Sequence, residues 1–231
     1  MLTKYSRLGA AVLSLVSAWT GSVHADGDLV GVGVRHGPDY DGARDAGLDM
    51  IPILGVRHGA WFARSTQGLL EGGLRFTSAG GVSAGMQLAH EPGPRDRDAG
   101  ASIGALVEWN THVGPAPLQL VARWRQQLDS ERGAAADLRA TAGIFSDTRT
   151  RVGVFVQTTW ADADYRHAHY EVSGSGVNHG SVGAFASYDL GDDIVAIGSA
   201  EVRHLDGSLD ESRIVDAQTS TYISLGAAYR F

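Results

Sequence analysis

Hydrophobic and polar positions alternate along most of this chain, and the stretch from Gln218 to Phe231 shows it most clearly. Counting back by twos, Phe231, Tyr229, Ala227, Leu225 and Ile223 fall on one face. Arg230, Ala228, Gly226, Ser224 and Tyr222 fall on the other. Successive side chains of a strand point to opposite faces, so this is a strand with one oily side and one wet side. The pattern recurs upstream. Leu118, Leu120, Ala122 and Trp124 oppose Gln119, Arg123, Arg125 and Gln127; Ile103, Ala105, Val107 and Trp109 oppose Ser102, Gly104, Glu108 and Asn110. Leu138, Ala140, Ala142 and Ile144 oppose Asp137, Arg139, Thr141 and Gly143; Val152, Val154, Val156 and Trp160 oppose Arg151, Gly153, Gln157 and Thr159. Val182, Ala184, Ala186, Tyr188 and Leu190 oppose Ser181, Gly183, Ser187 and Asp189. From Ile194 to Val202 the rhythm continues, with Ser199, Glu201 and Arg203 on the polar face.

A soluble sandwich also alternates, so the faces themselves must decide. The polar faces carry Arg, Glu, Gln and Asp in mid-strand, while the apolar faces end in Trp or Tyr. Aromatics at strand ends are what membrane interfaces select. Less regular strands are expected at about 28–37, 47–58, 60–68, 69–78 and 81–91, which brings the number to twelve. Even-numbered connections are short, as at His58-Gly59-Ala60, Ala79-Gly80-Gly81, Val113 to Ala116, Ser146-Asp147-Thr148 and Gly191-Asp192-Asp193. Odd-numbered ones are mostly long: Pro38 to Ala46, Glu91 to Ala99, Asp162 to His179 and Asp206 to Asp216. Short turns inside, long loops outside and an even strand number describe a single antiparallel up-and-down transmembrane β-barrel. The third connection, near Gly68, is short where a long loop is expected; with 60–78 as one bent strand and one further revision, the number falls to ten. The chain stops on Phe231, and such an end is what the barrel-assembly machinery of an outer membrane reads.

The other end agrees. Lys4 and Arg7 precede an uncharged run from Leu8 to Thr20, followed by Val23-His24-Ala25. This is the layout of a secretory signal peptide over residues 1–25, cleaved before Asp26, with the barrel over 26–231. The run is too short to cross a bilayer as a helix, which takes about 20 apolar residues. There is no Cys, hence no disulfide framework, and Gly is abundant at 31. Losing residues 1–25 removes Lys4 and Arg7 and no acid, so the net charge of −7 becomes −9. An acidic balance excludes nucleic acid as a partner, because phosphate binding needs a positive field. The expected surroundings are outer-membrane lipid and lipopolysaccharide.

Four segments carry a resemblance. Pro38-Asp39-Tyr40-Asp41-Gly42 follows the first strand; Thr159-Trp160-Ala161-Asp162-Ala163-Asp164-Tyr165 ends a later one. Ser212-Arg213-Ile214-Val215 precedes the last strand, which closes on Tyr229-Arg230-Phe231. These resemble the Pro-x-Tyr-x-Gly, Thr-Trp-Ala-Asp-x-x-Tyr, Ser-Pro-Ile-Val and terminal motifs of the MipA/OmpV family of outer-membrane proteins, the MltA-interacting proteins. The family-motif positions are Pro38, Tyr40, Gly42, Trp160, Ala161, Asp162, Tyr165, Ser212, Ile214, Val215, Tyr229 and Phe231. Two departures stand out: Arg213 replaces a Pro, and Glu171, in Tyr170-Glu171-Val172, replaces a Gly. The resemblance implies a non-enzymatic scaffold that holds a lytic transglycosylase near a murein synthase, or a barrel linked to adhesion or stress tolerance. It supplies no catalytic residue and no cofactor.

Direct chemistry is sparse. A barrel hydrolase needs Ser and His on one outward surface, oriented by an acid or Asn. Period two puts His204 on the face opposite Ser199 and Glu201, and His90 near Glu91 has no Ser of its own. His167, His169 and His179 lie with Asp162 and Asp164 in the longest loop, where i and i+2 on an extended segment point the same way. The plainer expectation is a solvated polar loop. Gly174-Ser175-Gly176 lacks the Lys and helix of a phosphate cradle. Charges expected to face the lumen are Arg35, Glu108, Arg123, Arg125, Arg139, Arg151, Asp189, Glu201 and Arg203. A charge in a tight lumen must be paired, so these are expected to brace the bore. An open bore with this excess of Arg would favour anions, which keeps a narrow solute channel as the alternative.

Overall fold

The computed structural model describes residues 28–78, 80–91 and 100–231. The signal peptide expected over residues 1–25, and most of the loop expected at 91–99, fall outside these residues. Twelve strands form one closed antiparallel barrel in which each pairs with its sequence neighbours and the last pairs with the first. They are β1 (Leu29–Pro38), β2 (Ala46–His58), β3 (Trp61–Thr66), β4 (Leu69–Thr77), β5 (Val82–Glu91) and β6 (Gly100–Val113). β7 (Ala116–Gln127), β8 (Ala134–Ser146), β9 (Thr150–Ala161), β10 (Gly176–Gly191), β11 (Ile194–Leu205) and β12 (Thr219–Arg230) complete the wall. Closure matters physically. In lipid no backbone group can be left unpaired, and a closed ladder leaves no edge. The β1–β12 seam runs from Leu29 opposite Arg230 to His36 opposite Ile223.

The face assignments hold. Ile223, Leu225, Tyr229 and Phe231 are exposed outward, whereas Tyr222 and Ala228 are buried inward. Outward aromatics gather at two levels. Trp61, Phe76, Trp109, Tyr188, Tyr229 and Phe231 ring the short-turn end, and Trp124 and Trp160 lie toward the long-loop end, all more than two-fifths exposed. Apolar side chains between them give the outer belt of a membrane barrel.

The third connection resolves as a hairpin, and the ten-strand alternative falls. Gln67 at φ 53° and Gly68 at φ 88° form its two-residue tip. Positive φ at both positions matches the twist of paired strands. The hairpin is short, so β3 pairs with β2 only from Gly55 to His58, while β2 runs on to Ala46 against β1. The region expected to be a solvated loop from Asp162 to His179 is corrected more sharply. It contains a helix, α1 (Ala163–Tyr170), and β10 begins at Gly176. Asp162 caps α1, its carboxylate accepting from the Tyr165 amide at 2.8 Å.

Candidate functional site

Inward-facing charges build a single alternating chain across the bore. Arg75 bonds Glu108, which also takes Arg64; Arg64 bonds Glu71. Glu71 takes Arg123 at 3.3 Å; Arg123 reaches Asp137 at 3.5 Å; and Arg125 closes the chain on Asp137 at 2.9 Å. Arg64 on β3 meets Glu108 on β6, and Arg123 on β7 meets Glu71 on β4. Contacts that skip two strands cannot run along the wall; they are chords through the lumen. Glu108 is fully buried and Glu71 is 2% exposed. A carboxylate taken from water costs several kcal/mol unless its lone pairs are satisfied, and here each acid has two guanidinium partners. Thr159 adds a hydroxyl donor to Asp137 at 2.7 Å, and His179 lies 3.1 Å from that hydroxyl.

All nine charges expected in the lumen stand on inward positions, but they separate into groups. Glu108, Arg123 and Arg125 join the chain. Arg203 sits over the other side, bonded to Glu201 at 3.0 Å and Asp41 at 2.6 Å. Asp189 lies at the short-turn rim, paired with Arg230 at 2.6 Å. Arg35 donates to the Gln67 carbonyl at 2.8 Å and lies over the Tyr222 ring. Arg139 lies 3.8 Å from the centre of the Phe155 ring, and its Nε donates to Thr141 at 3.3 Å. Arg64, Glu71 and Arg75 were missed as members. They sit in Arg64-Ser65-Thr66 and Glu71-Gly72-Gly73-Leu74-Arg75, where glycines blur the alternation. Counting by twos within each strand, with the parity switched at the Gln67-Gly68 turn that pairs Arg64 with Glu71, places all three inward.

Beside the chain the lumen holds a cavity of about 200 Å³. Its lining includes Arg35, Arg64, Arg123, Arg139 and Arg151 with a single carboxylate, Glu201. Phe155 and Phe185 also line it, with ring centres 6.5 Å apart. Each phenyl presses on the bare backbone of a glycine, Phe185 on Gly153 and Phe155 on Gly183. Below the cavity, Leu29, Val195 and Ala228 form an apolar floor with Ile53 and Ile197.

The long-loop end carries the second constellation. Tyr170, Leu205 and Leu209 pack together with Tyr165, Val172 and Val215 against them. The Tyr40 hydroxyl donates to the Ile214 carbonyl at 2.9 Å, and Ser212 Oγ donates to the Tyr170 carbonyl at 2.5 Å. The Gly42 carbonyl accepts from the amides of Asp216 and Ala217 at 2.8 and 3.0 Å. Gly42 itself has φ 100°, and a Cβ there would meet Val215 and Leu205. Asp162 holds the Ala134 amide at 2.8 Å as well as capping α1. Tyr40, Gly42, Asp162, Tyr165, Ser212, Ile214 and Val215, distant in sequence, therefore make one cap over the barrel mouth. Pro38 and Ala161 end the strands that enter it, whereas Trp160, Tyr229 and Phe231 face outward. Asp41 ties cap to wall, accepting from Arg203 and, at 2.5 Å, from the Tyr222 hydroxyl. Burial alone would raise its pKa, but the Arg203 charge, His179 and the Tyr222 bond bring it down to about 2.

The histidines do not converge. α1 turns His167 and His169 to different sides. His169 stacks on Tyr165 at 3.9 Å, while His179 is buried in the wall. His204 bonds Thr219 on the outer surface at 3.0 Å.

The family model described as MltA-interacting protein MipA matches residues 30–231. Among curated proteins none matches the chain. Among solved structures, the NanC porin superposes with a TM-score of 0.56 at 11% identity, over 87% of this chain and 100% of that one. An outer membrane channel from Pseudomonas putida F1 gives 0.55 at 11% identity, over 89% and 96%. At such identity the likeness is one of fold.

Proposed function

The chain belongs to the MltA-interacting protein MipA family, and we propose that this outer-membrane β-barrel is a non-enzymatic scaffold whose work is done at its ends. The observation that carries the reading is the charge chain from Arg75 to Arg125, which fills one side of the bore with paired side chains. A bore braced in this way leaves the rims as the surfaces a partner can reach. The family description names an interaction with MltA, and the corresponding partner here is a murein-cleaving transglycosylase, brought near a murein synthase. The turns at the short end offer little area: Gly59-Ala60, Gly114-Pro115 and Asp192-Asp193 are two residues each. A specific interface buries about 800 Å² per partner, so the outer faces of the rim must contribute. The test is binding of a purified MltA-type transglycosylase to the immobilised barrel in detergent. Saturable binding is expected; binding no greater than to an unrelated barrel overturns the scaffold.

A narrow solute channel is the second reading, favoured by the cavity beside the chain.

A further inference from the structure

We infer that the luminal cavity is a binding site for a small organic anion, a carboxylate on an apolar body. A site in the bore is independent of any partner at the rim, so it stands or falls apart from the scaffold. Three observations carry it.

The first is charge. The lining sets five arginines against one carboxylate. Arg64 and Arg123 are satisfied by the charge chain, and Glu201 is taken by Arg203. Arg35 and Arg139 remain with no carboxylate partner; their contacts are a carbonyl, a hydroxyl and aromatic rings. The second is hydrogen bonding. The buried lining atoms without a partner include Arg139 Nη1 and Gln67 Nε2, both donors. Spare donors call for an acceptor, and a guanidinium fork matches a carboxylate. The third is shape. Phe155, Phe185, Val121, Ile53 and Ile197 give the same cavity apolar walls. Bare phosphate or chloride would leave those walls unused. An engineered apolar cavity of about 150 Å³ admits benzene, so 200 Å³ accommodates a ring with a carboxylate attached.

Benzoate is therefore the probe, titrated calorimetrically into the full barrel in non-ionic detergent, with benzyl alcohol and sodium chloride alongside. Benzoate should bind saturably and the other two should not. Arg139→Gln should weaken benzoate about tenfold, the effect of one charged hydrogen bond. Arg139→Lys should fall between. Should Arg139→Gln fail to fold, Ser199→Phe, which places a ring in the cavity from β11, should abolish binding instead. No saturable heat from folded wild-type protein, equal binding of benzyl alcohol, or benzoate affinity unchanged in either folded variant would overturn the site.

Discussion

The charge chain and the loop cap are held by opposite means. The chain is polar, buried and long-range: seven charged side chains from β3, β4, β6, β7 and β8 satisfy one another across the bore. The cap is an apolar cluster pinned by backbone carbonyls and amides, built from the connections after β1, β9 and β11. The short motifs that resemble the family lie mainly in the cap, because loop positions with special φ or a backbone contact tolerate few residues. The bore carries no short motif, because any acid can face any Arg provided the register brings them together. Family membership is thus written in one region and the bracing of the bore in the other.

The contrast can be broken by mutation, and the largest effect should come from the bore. Glu108→Ala leaves Arg64 and Arg75 facing each other without their shared acid. Removing one partner of a buried pair costs about 3–5 kcal/mol, measurable as a fall in the urea midpoint of the refolded barrel. Leu209→Ala removes a fully buried cap side chain, a change that costs about 2–5 kcal/mol in a packed core. That loss should appear as protease cleavage in the loops, with the barrel's midpoint unmoved. A midpoint shift equal to that of Glu108→Ala would show cap and bore to be one cooperative unit.

Two smaller tests address the cap and its tie to the wall. Asp41 has its pKa depressed from 3.8 to about 2, so the stability it supplies is fully present above pH 4 and is lost as pH falls toward 2. The shift corresponds to about 2 kcal/mol. Loop protection should therefore fall between pH 4 and 2, and Asp41→Asn should remove that step. Glu171 ends α1 in the left-handed region at φ 58°, the conformation a glycine takes without strain. Glu171→Gly should stabilise the cap by about 1 kcal/mol, read as slower loop proteolysis.

Much of the barrel was legible from period two. Twelve strands and their faces follow from it, because one face meets lipid and the other does not, and the short and long connections alternate except at the Gln67-Gly68 hairpin. What escaped did so for physical reasons. Phe155, Phe185, Leu106 and Val121 are apolar residues at inward positions, so a rule that equates inward with polar passes over them. They are the walls of the cavity and the filling beside the charge chain. α1 was hidden in a run of polar residues, although Asp162 followed by Asp164 is a helix start. Which Arg meets which acid depends on the stagger around the barrel, which no single strand encodes.

The most direct test of the braced bore is electrical. Purified wild-type protein, inserted into a planar bilayer and stepped through both polarities, should give no resolved single-channel openings. Regular conductance steps that scale with salt would mean a continuous water path past Arg64, Glu108 and Arg123, and would contradict the account.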